Sequence, residues 1–107
     1  MAGAFSGDAH NTGKLGRFGY VTLTAQKDGL LCQAGDSFPA HEFHYWDSTT
    51  PGADFHAQKP QSDRGWDCAF HTPTLYAGFP HFHFWARPEL ARNFAAAARR
   101  YMQEALL

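Results

Sequence analysis

This sequence has little cysteine, no long apolar run and no excess of positive charge. Lys and Arg number 9 against 10 Asp and Glu, a formal net charge of −1 over 107 residues. A nucleic-acid partner held by phosphate neutralisation requires a basic surplus, so none is expected. No stretch approaches the roughly 18 uninterrupted apolar residues that a membrane helix needs. Residues 1–14, MAGAFSGDAHNTGK, hold neither an apolar core nor a basic leader, and no secretory signal is expected there. The two cysteines, Cys32 and Cys68, form no C-x-x-C pair and make no disulfide scaffold. A reduced, cytoplasmic location follows as the simplest expectation, with both thiols structural.

What is present is aromatic and imidazole-rich: 10 Phe, 4 Tyr, 3 Trp and 7 His. The length suits one domain. Residues 1–14 are small and polar and read as a flexible lead-in to a domain over 15–107. Leu15–Thr24 (LGRFGYVTLT) reads as a strand, with Phe18, Tyr20, Thr22 and Thr24 on one face and Gly19, Val21 and Leu23 on the other. Lys27-Asp28-Gly29 is a turn signature, and Leu30–Cys32 could form a short partner strand. Phe38–Trp46 (FPAHEFHYW) reads as a second strong strand with Pro39 near its start. Residues 47–64 form the longest loop, with a brief strand around Phe55. Further strands are expected near Trp66–His71, Leu75–Ala77 and His81–Trp85. Arg87-Pro88-Glu89 then opens a helix, on which Leu90, Phe94, Ala97, Ala98, Tyr101 and Ala105 recur at helical spacing. The fold class is therefore mixed α/β, a short mostly-β sheet plus one C-terminal helix. One helix cannot cover both faces of a sheet, so one face is expected to lie open.

Two histidine clusters could carry chemistry. In His41-Glu42-Phe43-His44, a strand would project Glu42, His44 and Trp46 together and His41, Phe43 and Tyr45 opposite. The spacing is not the helical zinc motif HExxH, and a polar strand face is the plain reading. In His81-Phe82-His83, the two imidazoles would share a face. Two such rings could hold a divalent metal with His41 or His44 as a third ligand, but no carboxylate stands where a cupin-like site would place one. A His acting as general base needs a nucleophile within reach, and neither Cys32 nor Cys68 sits on a strand-to-helix elbow. No glycine loop runs from a strand into a helix to cradle phosphates.

Taken in order, LGRFGYVTLT, FPAHEFHYW and LYAGFPHFHFWARPELARNF resemble the C-terminal part of the cobyrinic acid a,c-diamide synthases. The likeness runs from about Lys14 to the final helix and would cover only about the last quarter of a full-length member. The resemblance implies the C-terminal half of a class I glutamine amidotransferase-like domain within an ATP- and glutamine-dependent ligase of cobalamin biosynthesis. It implies that His81 is the base for a cysteine that this chain lacks, and that His83 stands where the wider superfamily has a carboxylate steering that base. His41, Glu42 and His44 would line the glutamine site or the contact with the ATP domain. By the same resemblance this fragment binds no metal and no cofactor itself. ATP, Mg²⁺ and glutamine belong to the parent enzyme, whose ATP-binding domain and nucleophile-bearing half would be the partners, with a corrinoid as substrate. The isolated chain is expected to be inactive, as a piece of a longer enzyme or one product of a split gene.

Overall fold

The computed structural model describes residues 3–106. Nine strands precede one helix among the described residues: β1 (Ala9–Asn11), β2 (Phe18–Ala25), β3 (Ser37–Phe43), β4 (Trp46–Ser48), β5 (Phe55–Gln58), β6 (Gly65–Cys68), β7 (Phe70–Thr72), β8 (Leu75–Ala77), β9 (His81–Phe82) and α1 (Pro88–Ala105). Five of them build an antiparallel sheet in the order β6-β5-β2-β3-β9, flanked by the ribbons β1-β4 and β7-β8. The mixed α/β class, mostly strand with one C-terminal helix, is as expected.

The sheet centres on β2 because FGYVTLTA alternates side chains that suit a half-buried strand. Val21, Leu23 and Ala25 are buried while Tyr20 and Thr22 are exposed. Leu23 stands opposite Phe38 on one side and Ala57 on the other, and Val21 faces Ala40, which in turn faces Phe82. The same register puts Ala25, Phe55 and Cys68 in one row. Phe38 meets Phe55 and Phe82 edge-on at centroid distances of 6.1 and 5.2 Å. Leu31, Cys32 and Leu90 close the core, with Tyr76 of the β7-β8 ribbon against it. The opposite face keeps Thr24, His56 and Asp67 in one row and Tyr20, His41 and His81 in another.

Several sequence expectations need correction. Leu30–Cys32 is loop, not strand, because it wraps a buried ring: His71, fully enclosed, accepts the Leu31 N–H at Nε2 (3.1 Å) and donates from Nδ1 to the Lys27 carbonyl (3.2 Å). Gly29 lies against that ring so closely that a Cβ there would come within 2.6 Å of it. Within residues 47–64 the brief strand expected around Phe55 is present as β5, hydrogen-bonded between β2 and β6. The strand expected over Phe38–Trp46 breaks after Phe43, and Trp46 begins β4, which pairs with β1. Residues 9–11, placed by sequence in a flexible lead-in, thus form an edge of the β1-β4 ribbon. The strand expected over Trp66–His71 is cut at Ala69, a buried residue in the left-handed region (φ 64°) whose amide and carbonyl bond Pro51 and Asp54. His81–Trp85 is extended only over its first two residues.

The helix begins as its sequence requires, with Pro at its start and Glu89 in the first turn. It does not lie along the sheet. Leu90 is its one buried residue among those described, and Arg87 and Asn93 tie that end to the carbonyls of Ser37 and Leu31, both at 2.6 Å. Beyond it, Phe94, Tyr101, Met102 and Leu106 are exposed. No described helix is long and apolar enough to cross a membrane.

Candidate functional site

Three antiparallel strands bring three ring-bearing side chains together on the open face. Tyr20 of β2, His41 of β3 and His81 of β9 stand opposite one another in register. Cross-strand neighbours of this kind hold their Cβ atoms about 5 Å apart. Tyr20 meets the His41 ring edge-on at 5.1 Å. His81 is exposed and His41 half-buried, so an approaching group reaches the His81 ring without displacing core. His83 lies one residue past β9, in a turn closed by the Ala86 amide on its carbonyl (2.9 Å). No hydrogen bond joins His81 to His83 among the described residues; the strand neighbour of His81 is His41.

Glu42 and His44 are brought together on the other side. Alternation sends Glu42 to the core face with Ala40, and its carboxylate is 1% exposed. Trp66 donates its indole N–H to Oε1 at 3.2 Å, and His44 Nε2 meets Oε2 at 3.2 Å. His44 Nδ1 meets the Trp46 carbonyl at 2.6 Å, and its ring stacks on Phe79 at 4.0 Å with an interplanar angle of 9°. Glu42, His44 and Trp46 therefore do not form a solvent-facing strand row. Glu42 is buried, His44 follows the strand end, and Trp46 is exposed on β4. The sequence offered no signal for Trp66 or Phe79 as partners, because only the strand register and the 78–80 turn bring them there.

Neither cysteine is a nucleophile in waiting. Both are buried and free. Burial, helped by Asp36, pushes the Cys32 thiol up to about 11, and burial with Glu42 nearby pushes Cys68 up to about 12. A thiol that high is almost wholly protonated at neutral pH. The pair His56–Asp67, which sequence reasoning also missed, lies further along the open face with Nδ1 2.9 Å from the carboxylate. That hydrogen bond raises the His56 pKa above its ordinary value and lowers that of Asp67. No group of three His, Cys, Asp or Glu side chains that could hold a metal ion occurs among the described residues. The metal-binding alternative needed His81, His83 and His41 or His44 around one point, and that set is not assembled.

The Salmonella typhimurium cobyrinate a,c-diamide synthase is 35% identical to this chain over 107 residues, covering 95% of the chain and 23% of that protein. This chain is related to one segment of the cobyrinate a,c-diamide synthases. The Synechococcus enzyme of the same name is 31% identical over 102 residues, covering 94% of the chain and 22% of its own length. That from Caldanaerobacter subterraneus is 29% identical over 96 residues, covering 88% and 21%. The chain thus spans less than a quarter of the curated synthases it matches. No family model matches the chain, and no solved structure matches it.

Proposed function

We propose that this chain is one portion of a glutamine- and ATP-dependent amidotransferase that converts two carboxylates of cobyrinic acid to amides. The observation that carries the reading is the placement of His81, exposed on an uncovered polar sheet face beside His41, in a chain related along nearly its whole length to synthases of that name. The thiol comes from a cysteine outside this chain, since Cys32 and Cys68 are buried and held protonated. His81 takes the proton from that thiol. The thiolate attacks the glutamine carboxamide carbon, the C–N bond breaks, and the proton leaves with ammonia; water then cleaves the glutamyl thioester, releasing glutamate and restoring the thiol. Steering of His81 falls to His83 by resemblance, and the register makes His41 an equal candidate. Glu42 and His44 act behind the face as an anchor for the segment that meets the rest of the enzyme. The reaction also calls for ATP and Mg²⁺, and the residues present do not fit them. No glycine loop opens a helix, and no carboxylate cluster is assembled among the described residues.

The test is complementation. A Salmonella synthase truncated to remove the matched segment is mixed with this chain, and glutamate release from glutamine is followed. Neither part alone should turn over, the mixture should, and His81→Ala should abolish it. Turnover by this chain alone, lost in His81→Ala, would overturn the split. A properly folded mixture with activity insensitive to His81→Ala would remove His81 from the chemistry.

A further inference from the structure

The most completely built feature away from the open face surrounds Trp66. Its indole N–H is committed to the buried Glu42 carboxylate, which fixes the ring and makes it electron-rich. The guanidinium carbons of Arg17 and Arg64 lie 5.5 and 5.4 Å from the centroid of that one ring, within the range of a cation–π contact. Among the described residues neither has a carboxylate partner. Arg64 makes one long side-chain hydrogen bond, 3.4 Å to the Gly16 carbonyl. The ring quadrupole neutralises neither charge.

Both arginines line a cavity of about 220 Å³ whose wall also includes Thr12, His44, Trp46 and Asp47. The His44 ring nitrogens are engaged away from the arginines, by the Trp46 carbonyl and the Glu42 carboxylate. Asp47 is the one acid on the wall, and its Oδ1 already accepts the Ser48 N–H at 2.8 Å. Two guanidinium forks outweigh it. The volume suits a small acid group and a few attached atoms, and falls below the range of pockets that enclose drug-sized ligands.

We propose that this cavity binds an oxyanion, a carboxylate or a phosphate carried by a small molecule, between Arg17 and Arg64. The planar forks of the two arginines match either anion in a two-point hydrogen bond, and the anion offsets charge that no ion pair takes up. The inference does not rest on the amidotransferase reading, and His81 has no part in it.

Trp46 and Trp66 report on the cavity, so the test is tryptophan fluorescence of the full chain titrated with sodium phosphate in one arm and sodium succinate in the other. Sodium chloride holds the ionic strength constant. Saturation in the succinate arm alone identifies a carboxylate, saturation in the phosphate arm alone identifies a phosphate, and saturation in both supports the shared oxyanion. Arg17→Gln and Arg64→Gln should each weaken binding at least tenfold, Arg64→Lys by less, and Arg92→Gln on the far helix not at all. Thermal melts show that each variant is folded. No saturable change in either arm overturns the proposal, as does unchanged affinity in folded Arg17→Gln and Arg64→Gln.

Discussion

Replacing Glu42 by Ala should destabilise the chain by about 2–3 kcal/mol, a value that follows from its two hydrogen bonds. The carboxylate is 1% exposed and accepts from Trp66 Nε1 and His44 Nε2, each at 3.2 Å. A hydrogen bond to a charged group contributes about 1.5–3 kcal/mol, so the gross loss is about 3–6 kcal/mol. Two effects return part of it. The desolvation cost of the carboxylate disappears with it, and water reaches the half-buried Trp66 and His44 once the side chain is gone. With a urea slope near 1.5 kcal/mol/M, typical of a small domain, the unfolding midpoint should fall by about 1.3–2 M. Trp66→Phe removes one donor, and in a double-mutant cycle with Glu42→Ala the coupling should be about 1 kcal/mol. The assay is equilibrium urea unfolding followed by far-UV circular dichroism, which does not depend on the tryptophan being replaced. A Glu42→Ala loss under 0.5 kcal/mol with no coupling would mean that water already satisfies the carboxylate, and the anchoring role given to it would be refuted.

Three further outcomes follow from the same geometry. Burial holds the His71 pKa below its ordinary value, so from about pH 6.5 downward the unfolded chain takes up a proton that the folded ring refuses. Stability is therefore full above pH 6.5 and falls as pH drops toward the depressed value, and His71→Gln should flatten the low-pH limb of a melting-temperature profile. With thiols near 11 and 12, on the order of one Cys32 in a thousand or fewer is thiolate at pH 8. Iodoacetamide should then label neither cysteine in the native chain within an hour and both in urea, as read by intact mass. Leu90→Ala should cost about 2–4 kcal/mol, as a buried leucine does, whereas Phe94→Ala, at 55% exposure, should stay within about 0.5 kcal/mol in the isolated chain; urea titration of both variants checks the pair.

Local physics made β2 and the first turn of α1 legible from the sequence, whereas the helix expected to cover one sheet face is held only at its start. Alternation in FGYVTLTA and the Arg-Pro-Glu start of the helix are nearest-neighbour signals that need no knowledge of partners. The partners were not legible. Leu30–Cys32 has the composition of a strand and becomes a loop because His71, some 40 residues onward, offers its ring to the Leu31 amide. The brief strand around Phe55 is legible, but its place in the middle of the sheet is not: Phe55 and Ala57 are fully buried between β2 and β6. In both cases a long-range contact decides the outcome.

The histidine clusters divide along the same line. Strand alternation separated His41 from Glu42 correctly, and register then joined His41 to His81 across β3 and β9, a pairing that periodicity within either strand could not reveal. The expectation that His81 and His83 share a face required β9 to continue, and it stops at Phe82. Three residues of strand, against two, decide whether the imidazoles at 81 and 83 point together. The two-residue strand lies at the sheet edge, where a single partner supplies its hydrogen bonds, and edge strands are kept short because an exposed ladder invites pairing with other chains. A covering segment beside β9 would extend it and bring His83 into the row of His81. The steering of His81 by His83 or by His41 is thus a question about what pairs with this edge: in the complemented enzyme, a pH profile for glutamine hydrolysis displaced by His83→Ala and not by His41→Ala would place His83 in the row, and the reverse would leave it in the turn.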